Sequence, residues 1–302
     1  MSGRANGGVA NAMTIDVEDY FQVSALASAI DRDSWDSIDC RVEANTDKLL
    51  QMFDDADVCA TFFVLGWVAD RYPAVVRRIC EAGHELASHG YSHELIYRQT
   101  PDEFAEETRR SKTVLEDVSG LPVNGYRAAS FSIRRSTGWA IEALVDAGFT
   151  YDSSIVPVRH DLYGVANAPA HPYTIVMPDG RRIVEYPPST ISLSGRRIPV
   201  GGGGYFRLFP YWFSRWALNS INRSEGKPFT FYLHPWEVDP DQPRVKTNNL
   251  KSRFRHYNNL HKCEARLERL LSHFRFTTKE QVLASLELPD VSFADILESG
   301  TS

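Results

Sequence analysis

At 302 residues, 43% hydrophobic and 24% charged, the chain has enough apolar material for one large domain or two small ones with a substantial core. A formal net charge of −6 and a pI of about 5.9 lack the basic excess of a nucleic-acid binder. The four cysteines (Cys40, Cys59, Cys80, Cys263) form no C-x-x-C pair, which argues against a zinc ribbon and for a reducing compartment. No run reaches the ~18 apolar residues of a membrane span, and Met1 to Ala12 lacks the apolar core of a leader, so a soluble cytoplasmic protein is expected.

Residues 1–8 are expected to be disordered. Val9 to Ile15 then reads as a buried strand running straight into Asp16, Glu18 and Asp19, carboxylates that are costly at the end of a core strand unless they bind something. Arg41 to Asp55 has helical spacing at Val42, Leu49, Leu50 and Phe53, and Val58 to Leu65 is a continuous apolar strand ended by Gly66. Ala69 to Ala82 is predicted as one helix, with Pro73 in its first turn and Gly83 as its stop. A short strand from His84 leads to Ser88-His89-Gly90-Tyr91-Ser92-His93. Thr100 and Glu103 form the capping box of a helix that runs to about Val118 and stops at Gly120.

Pro122 to Tyr126 is a strand delivering Arg127, Ser136 to Ala147 a helix ended by Gly148, and Phe149 to Tyr151 leads to Asp152-Ser153-Ser154. Val156 to Gly204 is rich in Pro, Gly and Arg, with strands at Tyr173 to Val176 and Ile183 to Tyr186 and a flexible run from Gly201 to Gly204. Phe209 to Asn222 is an aromatic helix, and Pro228 to Leu233 a strand ending in His234-Pro235-Trp236-Glu237. Tyr257 to Phe274 is predicted as one amphipathic helix, followed by a strand at Phe276 to Thr278 and a helix at Lys279 to Ser285; residues 289–302 are expected to be a mobile tail.

The alternation of strands and helices implies a parallel β/α architecture. Asp16, His89, Arg127, Asp152 and His234 all fall at predicted strand C-termini, the face on which parallel barrels carry their chemistry. His89 and His93, four residues apart, can turn two imidazoles toward one cation. No repeat or linker divides the chain, so one domain is expected over residues 9–288, including a C-terminal extension from about 240.

Together these segments resemble the polysaccharide deacetylase family, the NodB-homology or family 4 carbohydrate esterases. The likeness covers about residues 9 to 240. It rests on Thr14-Ile15-Asp16-Val17-Glu18-Asp19, Ser88 to His93, Arg127-Ala128-Ala129-Ser130-Phe131, Asp152-Ser153-Ser154 and Leu233-His234, with Ala60-Thr61-Phe62-Phe63-Val64 also typical. Asn11 to Phe21, Gly202-Gly203-Gly204-Tyr205-Phe206-Arg207 and the stretch Arg255 to Leu260 look like the branch associated with exopolysaccharide and exosortase systems. The resemblance implies a distorted (β/α) barrel with a C-terminal extension and a divalent metal, Zn2+ before Co2+, Ni2+ or Mn2+. It also implies a substrate that is an N-acetylated glycan or its lipid-linked precursor. Two departures stand out: Val17 follows Asp16 where many members have a second Asp, and Ala129 stands where a Pro is usual.

On that footing His89 and His93 are metal ligands, and Glu18 or Asp19 supplies the third. Asp16 is the base that takes a proton from water, and Arg127 orients it. His234 protonates the departing amine and needs a nearby carboxylate to stay charged, a role assigned to Asp152. Tyr205, Phe206 and Tyr257 are candidates for stacking on sugars, with Arg255 and His256 hydrogen-bonding hydroxyls; alternatively Arg255 and His256 pin the C-terminal helix to the barrel. Rival classes are a metal-independent amidase on small ureides and a non-catalytic glycan-binding module.

Overall fold

In the computed structural model, residues 8–160, 163–247 and 249–297 are described; residues 1–7 of the expected disordered start and 298–302 of the expected tail lie outside them. The first half of the chain alternates strand and helix: β1 (Ala10–Val17), α1 (Val42–Ala56), β2 (Thr61–Val64), α2 (Gly66–Arg71), α3 (Pro73–Glu81), β3 (Glu85–Ser88), α4 (Pro101–Ser119), β4 (Gly125–Tyr126), α5 (Trp139–Asp146) and β5 (Tyr151–Asp152). Four strands follow, β6 (Tyr173–Val176), β7 (Arg182–Glu185), β8 (Thr190–Leu193) and β9 (Arg196–Pro199). Then come α6 (Gly203–Leu208), α7 (Tyr211–Ser224), β10 (Thr230–Leu233), α8 (Leu250–Tyr257), α9 (Cys263–His273), β11 (Arg275–Thr277), α10 (Lys279–Leu283), β12 (Asp290–Ser292) and α11 (Phe293–Leu297).

One sheet runs β10-β1-β2-β3-β4-β5-β7-β6-β12, with β11 also on β1; its pairings are parallel except β6 with β7. The strand period of two sorts side chains between its faces. Met13, Ile15, Val17, Phe62 and Val64 join the main core with the helices, whereas Phe63, Ala87 and Tyr151 form a separate cluster on the other face. The sheet is the expected distorted barrel, but among the described residues its end strands do not pair. Side chains and loop bridge the gap. Lys279 Nζ, fully buried, donates to Tyr186 O beyond β7 and to Thr230 Oγ1 on β10, both at 3.1 Å.

The run from Gly201 to Gly204 is part of that closure, and this corrects its reading as a flexible loop. Tyr232 N donates to Gly201 O at 2.7 Å, and Gly202 forms a parallel bridge with Tyr232. A Cβ on Gly202 (φ 130°) would lie 1.9 Å from Tyr232 O, so no other residue permits this approach.

Other boundaries also shift. The helix expected over Ala69 to Ala82 is two, because Pro73 can start a helix but cannot continue one. The helix expected from Tyr257 to Phe274 breaks at Asn258-Asn259, where Asn259 is left-handed (φ 52°). The aromatic helix begins only after Pro210. The β8–β9 hairpin was not expected; its turn is Ser194-Gly195, both with positive φ. The tail is not wholly free: β12 pairs with β6, and Phe293, Ile296 and Leu297 of α11 are buried.

Candidate metal centre and active site

β1 delivers three carboxylates and its end separates them. Glu18 N donates to Asp16 O at 3.0 Å, a tight bend that leaves Glu18 on the His234 side along with Asp16. Asp19 swings away: its carboxylate accepts from Tyr20 N (2.6 Å), from Cys40 Sγ (2.9 Å) and from Arg41 N at the start of α1. Burial raises the Asp19 pKa, against these donors.

β3 ends at Ser88, so His89 enters the same face, and His93 follows after a turn that holds it at φ 54°. His89, His93 and Glu18 each present a ligand atom within 4.8 Å of the others, and all three are buried. His89 Nδ1 lies 2.8 Å from Arg127 O; donating there leaves Nε2 bare as a ligand. Burial above all lowers the His89 pKa to about 4, which keeps the ring neutral as a ligand must be. Burial alone would raise Glu18, but His93, then His234 and His89, outweigh it and bring it to about 2. Glu18 Oε2 is 2.8 Å from His93 Nε2, so the two candidate ligand atoms already face each other. Two buried imidazoles and one ionised carboxylate, converging within 4.8 Å, form a donor set that fits a divalent cation of the zinc type.

Arg127, fully buried after β4, organises the next group. Its NH1 donates to Asp16 Oδ1 (2.5 Å) and Thr14 Oγ1 (2.9 Å), its NH2 to Ser153 Oγ (3.0 Å), and its guanidinium lies 4.1 Å from the Phe63 ring centroid. Asp16 therefore has one oxygen fixed; the other is 3.9 Å from His234 Nε2. The Ala129 segment is well tied, since Ser154 Oγ accepts from Ala128 N at 2.8 Å.

His234, on the residue after β10, is 17% exposed and so reachable from outside. Its Nδ1 is 2.7 Å from Glu237 Oε1, and its Nε2 is 3.5 Å from Glu18 Oε1. Burial works against its charge, but the Glu237 hydrogen bond and the charges of Glu18, Glu237 and Asp16 prevail and raise its pKa to about 9. The carboxylate that keeps it charged is thus Glu237, which corrects the assignment to Asp152. Asp152 instead accepts from Ser154 Oγ (2.5 Å) and Ser154 N (3.2 Å) beside buried Glu185, and burial raises the pKa of both acids.

Residues 33–151 match the polysaccharide deacetylase family model, and residues 153–284 match a domain of unknown function, DUF3473. The first half of the chain is thus similar to the polysaccharide deacetylase family. A peptidoglycan deacetylase of Helicobacter pylori is 30% identical over 114 residues, 38% of each chain. A peptidoglycan-N-acetylglucosamine deacetylase of Bacillus cereus is 33% identical over 75 residues, 25% of this chain and 27% of that one. The chain thus spans under two fifths of the length of these curated relatives. A crystal structure of a provisionally assigned polysaccharide deacetylase from Mycobacterium smegmatis superposes with a TM-score of 0.61 over 95% of both chains at 20% identity, which shows a shared fold. The Puue allantoinase does so at 0.59, 16% identical, over 93% of this chain and 91% of that one.

The second half of the chain buttresses His234. Glu237, one turn beyond it, is held by Arg207 Nε at 2.5 Å, and both are buried. Arg207 NH1 also donates to His256 O (2.9 Å) and Asn258 O (2.8 Å), and its NH2 to Arg255 O (3.0 Å). Trp236 stacks between His234 (centroids 5.0 Å) and His256 (4.3 Å). Buried His256 bonds Gln242 Oε1 through Nε2 at 2.6 Å, and Tyr257 accepts from Val245 N at 2.8 Å. These contacts favour the pinning alternative for His256, and they engage the hydroxyl of Tyr257, a stacking candidate, in the same packing. Arg255 is held by its backbone and its side chain is exposed. Phe206 is buried against Phe231 and unavailable to a sugar, whereas half-buried Tyr205 has its hydroxyl 3.5 Å from that of Tyr163.

Glu237, Arg207 and Trp236 were missed as functional residues. A signal existed for Glu237: His-Pro-x-Glu places Pro at the first position of a helical turn and a carboxylate at the third, which reaches back to the residue before the turn.

Proposed function

We propose that this chain is a metal-dependent hydrolase that removes N-acetyl groups from amino sugars of an exopolysaccharide or its precursor. One observation carries the reading: a His89–His93–Glu18 donor set lies beside an Arg127-anchored Asp16 and a His234 held charged by Glu237. When bound, the cation supplies Lewis-acid polarisation of the acetamide carbonyl and of the attacking water. Asp16, its Oδ1 tied to Arg127, takes the water proton at Oδ2. His234, protonated at Nε2 and braced at Nδ1 by Glu237, gives its proton to the sugar nitrogen as the C–N bond breaks, so that acetate and a free amine leave. The names of the matched relatives support an N-acetylated glycan as substrate.

Two features support the exopolysaccharide branch and its location. The segments carrying that likeness, Gly202 to Arg207 and Arg255 to Leu260, are joined by Arg207, so they act as one structural unit behind His234. All four cysteines are free thiols, which supports a reducing, cytoplasmic setting; no helix among the described residues is long and apolar enough to cross a membrane. The ureide amidase reading shares the fold but leaves the metal-type donor set without a task.

Acetate release from N-acetylglucosamine oligomers, assayed with Zn2+ or Co2+ and again after chelation, tests the reaction. Metal-dependent release is expected. No release from a panel of acetylated glycans and lipid-linked precursors would overturn the reading.

A further inference from the structure

Seven large apolar side chains stand exposed among the described residues, and five of them, Leu208, Trp212, Trp216, Leu250 and Phe254, lie on the consecutive helices α6, α7 and α8. Trp212 is 70% exposed and Trp216, one turn on, 48%. Around these two indoles is an open depression of about 530 Å³ whose charged lining is Arg215, Arg223 and Arg269, with no carboxylate. None of the three arginines pairs with a carboxylate among the described residues, in a chain of formal net charge −6. α8 repeats the pattern. Leu250 (73% exposed) and Phe254 (57%) are one turn apart, Lys251, Arg253 and Arg255 are exposed beside them, and the helix has no acidic residue.

We propose that α7 and α8 dock the protein onto an anionic lipid surface. Indole rings settle at headgroup depth, apolar residues on short basic helices enter the headgroup–acyl boundary, and each cation near the surface adds attraction to anionic lipid. The charge pattern selects this occupant: a basic, aromatic face on an acidic protein complements lipid phosphates. A sugar platform would set acceptors beside its aromatic rings, but here the lining offers arginine donors, one amide, Asn219, and the Tyr211 hydroxyl, already engaged by His273 Nδ1 at 2.9 Å, and the aliphatic Leu208 and Leu250 have no use for hydroxyls. Docking also has a consequence that rests on the proposed reaction. Arg207 ties the α8 backbone to Glu237, so a membrane bound by α8 lies on the His234 side of the molecule, where a lipid-linked glycan would be presented.

The test is co-sedimentation of the full chain with vesicles of phosphatidylglycerol and phosphatidylethanolamine, against vesicles of phosphatidylcholine. Wild type should pellet with the anionic vesicles, release as salt rises, and shift its tryptophan emission to the blue. Arg215→Glu with Arg223→Glu should weaken binding about thirtyfold or more, at roughly fivefold per lost cation. Trp212→Ala with Trp216→Ala should remove the emission shift, and Leu250→Asp with Phe254→Asp should weaken binding independently. All three double variants should melt like wild type and release acetate from a soluble oligomer at the wild-type rate. The proposal is overturned if wild type stays in the supernatant with anionic vesicles or if the variants pellet as well as wild type. It is also overturned if the face retains an acidic polysaccharide and ignores vesicles. Vesicle binding without deacetylation would sink the proposed reaction and leave the docking face standing.

Discussion

Asp16, His89, Arg127 and Asp152 come from the ends of parallel strands in the first half of the chain, each aimed by the pleat of the strand before it. His234 also follows a strand, but its chemical state is set by side chains brought from elsewhere: Glu237, Arg207 behind it, and the Trp236–His256 stack beneath it. The two halves therefore do different work. The strand-end half builds a donor set and a positioned carboxylate that tolerate little change, because each atom faces a fixed partner. The buttressing half tunes one imidazole through a buried chain of charges, so its variants should change pH dependence and stability before they abolish turnover.

The largest effects should come from the strand ends. His89→Ala and His93→Ala are each expected to remove bound metal and to lower acetate release by about a thousandfold or more, the equivalent of several kcal/mol of transition-state stabilisation, while circular dichroism stays native. Elemental analysis should separate the two remaining β1 carboxylates. Glu18→Ala should lose the metal, whereas Asp19→Ala should keep it and melt lower, because Asp19 holds the start of α1 through Arg41 N. Metal loss in Asp19→Ala with retention in Glu18→Ala would reverse the ligand assignment.

The next effect belongs to Glu237. In the proposed reaction His234 is the acid, so its pKa is expected to set the alkaline limb of kcat. Glu237→Gln removes the negative charge that raises that pKa, and the limb should move to lower pH with a rate loss of about tenfold on the alkaline side. An unmoved limb would show that Glu237 does not govern His234. A linked stability effect should appear in chelator-treated protein. Because the folded His234 pKa lies above its ordinary value, its charge stabilises the fold fully below about 6.5, and that contribution fades as pH rises through about 9. The difference in Tm between wild type and His234→Gln should shrink across that window.

The smallest effects sharpen the contrast within the extension. His256→Ala should cost about 1–3 kcal/mol, because it leaves Gln242 unpaired in a buried position, and should leave KM nearly unchanged. Arg255→Ala and Tyr205→Ala should do the reverse, raising KM a few-fold with Tm close to wild type. A large Tm loss in Arg255→Ala would place it with the pinning residues.

The strand–helix alternation of the first half, the capping box of α4 and the placing of polar clusters at strand ends were legible in the sequence, because they follow from periodicity and from short-range rules that act within a few residues. The helix breaks at Pro73 and Asn259 follow from the same local rules, yet the amphipathic pattern continues across both and masks them. Tertiary structure alone decided the rest. Glu18 and Asp19 are one residue apart and equally acidic; the bend after β1 and the capping demand of α1 separate them. Asp152 lies at a strand end like the catalytic candidates, but beside Glu185, which no pattern of spacing foretells. Arg207 and Glu237 are 30 residues apart in the chain, and the glycine run that leads into Arg207 lies against β10 at a distance where any side chain would collide. Local sequence sets which groups reach the face; long-range packing sets which partner each one meets, and with it the charge each one carries.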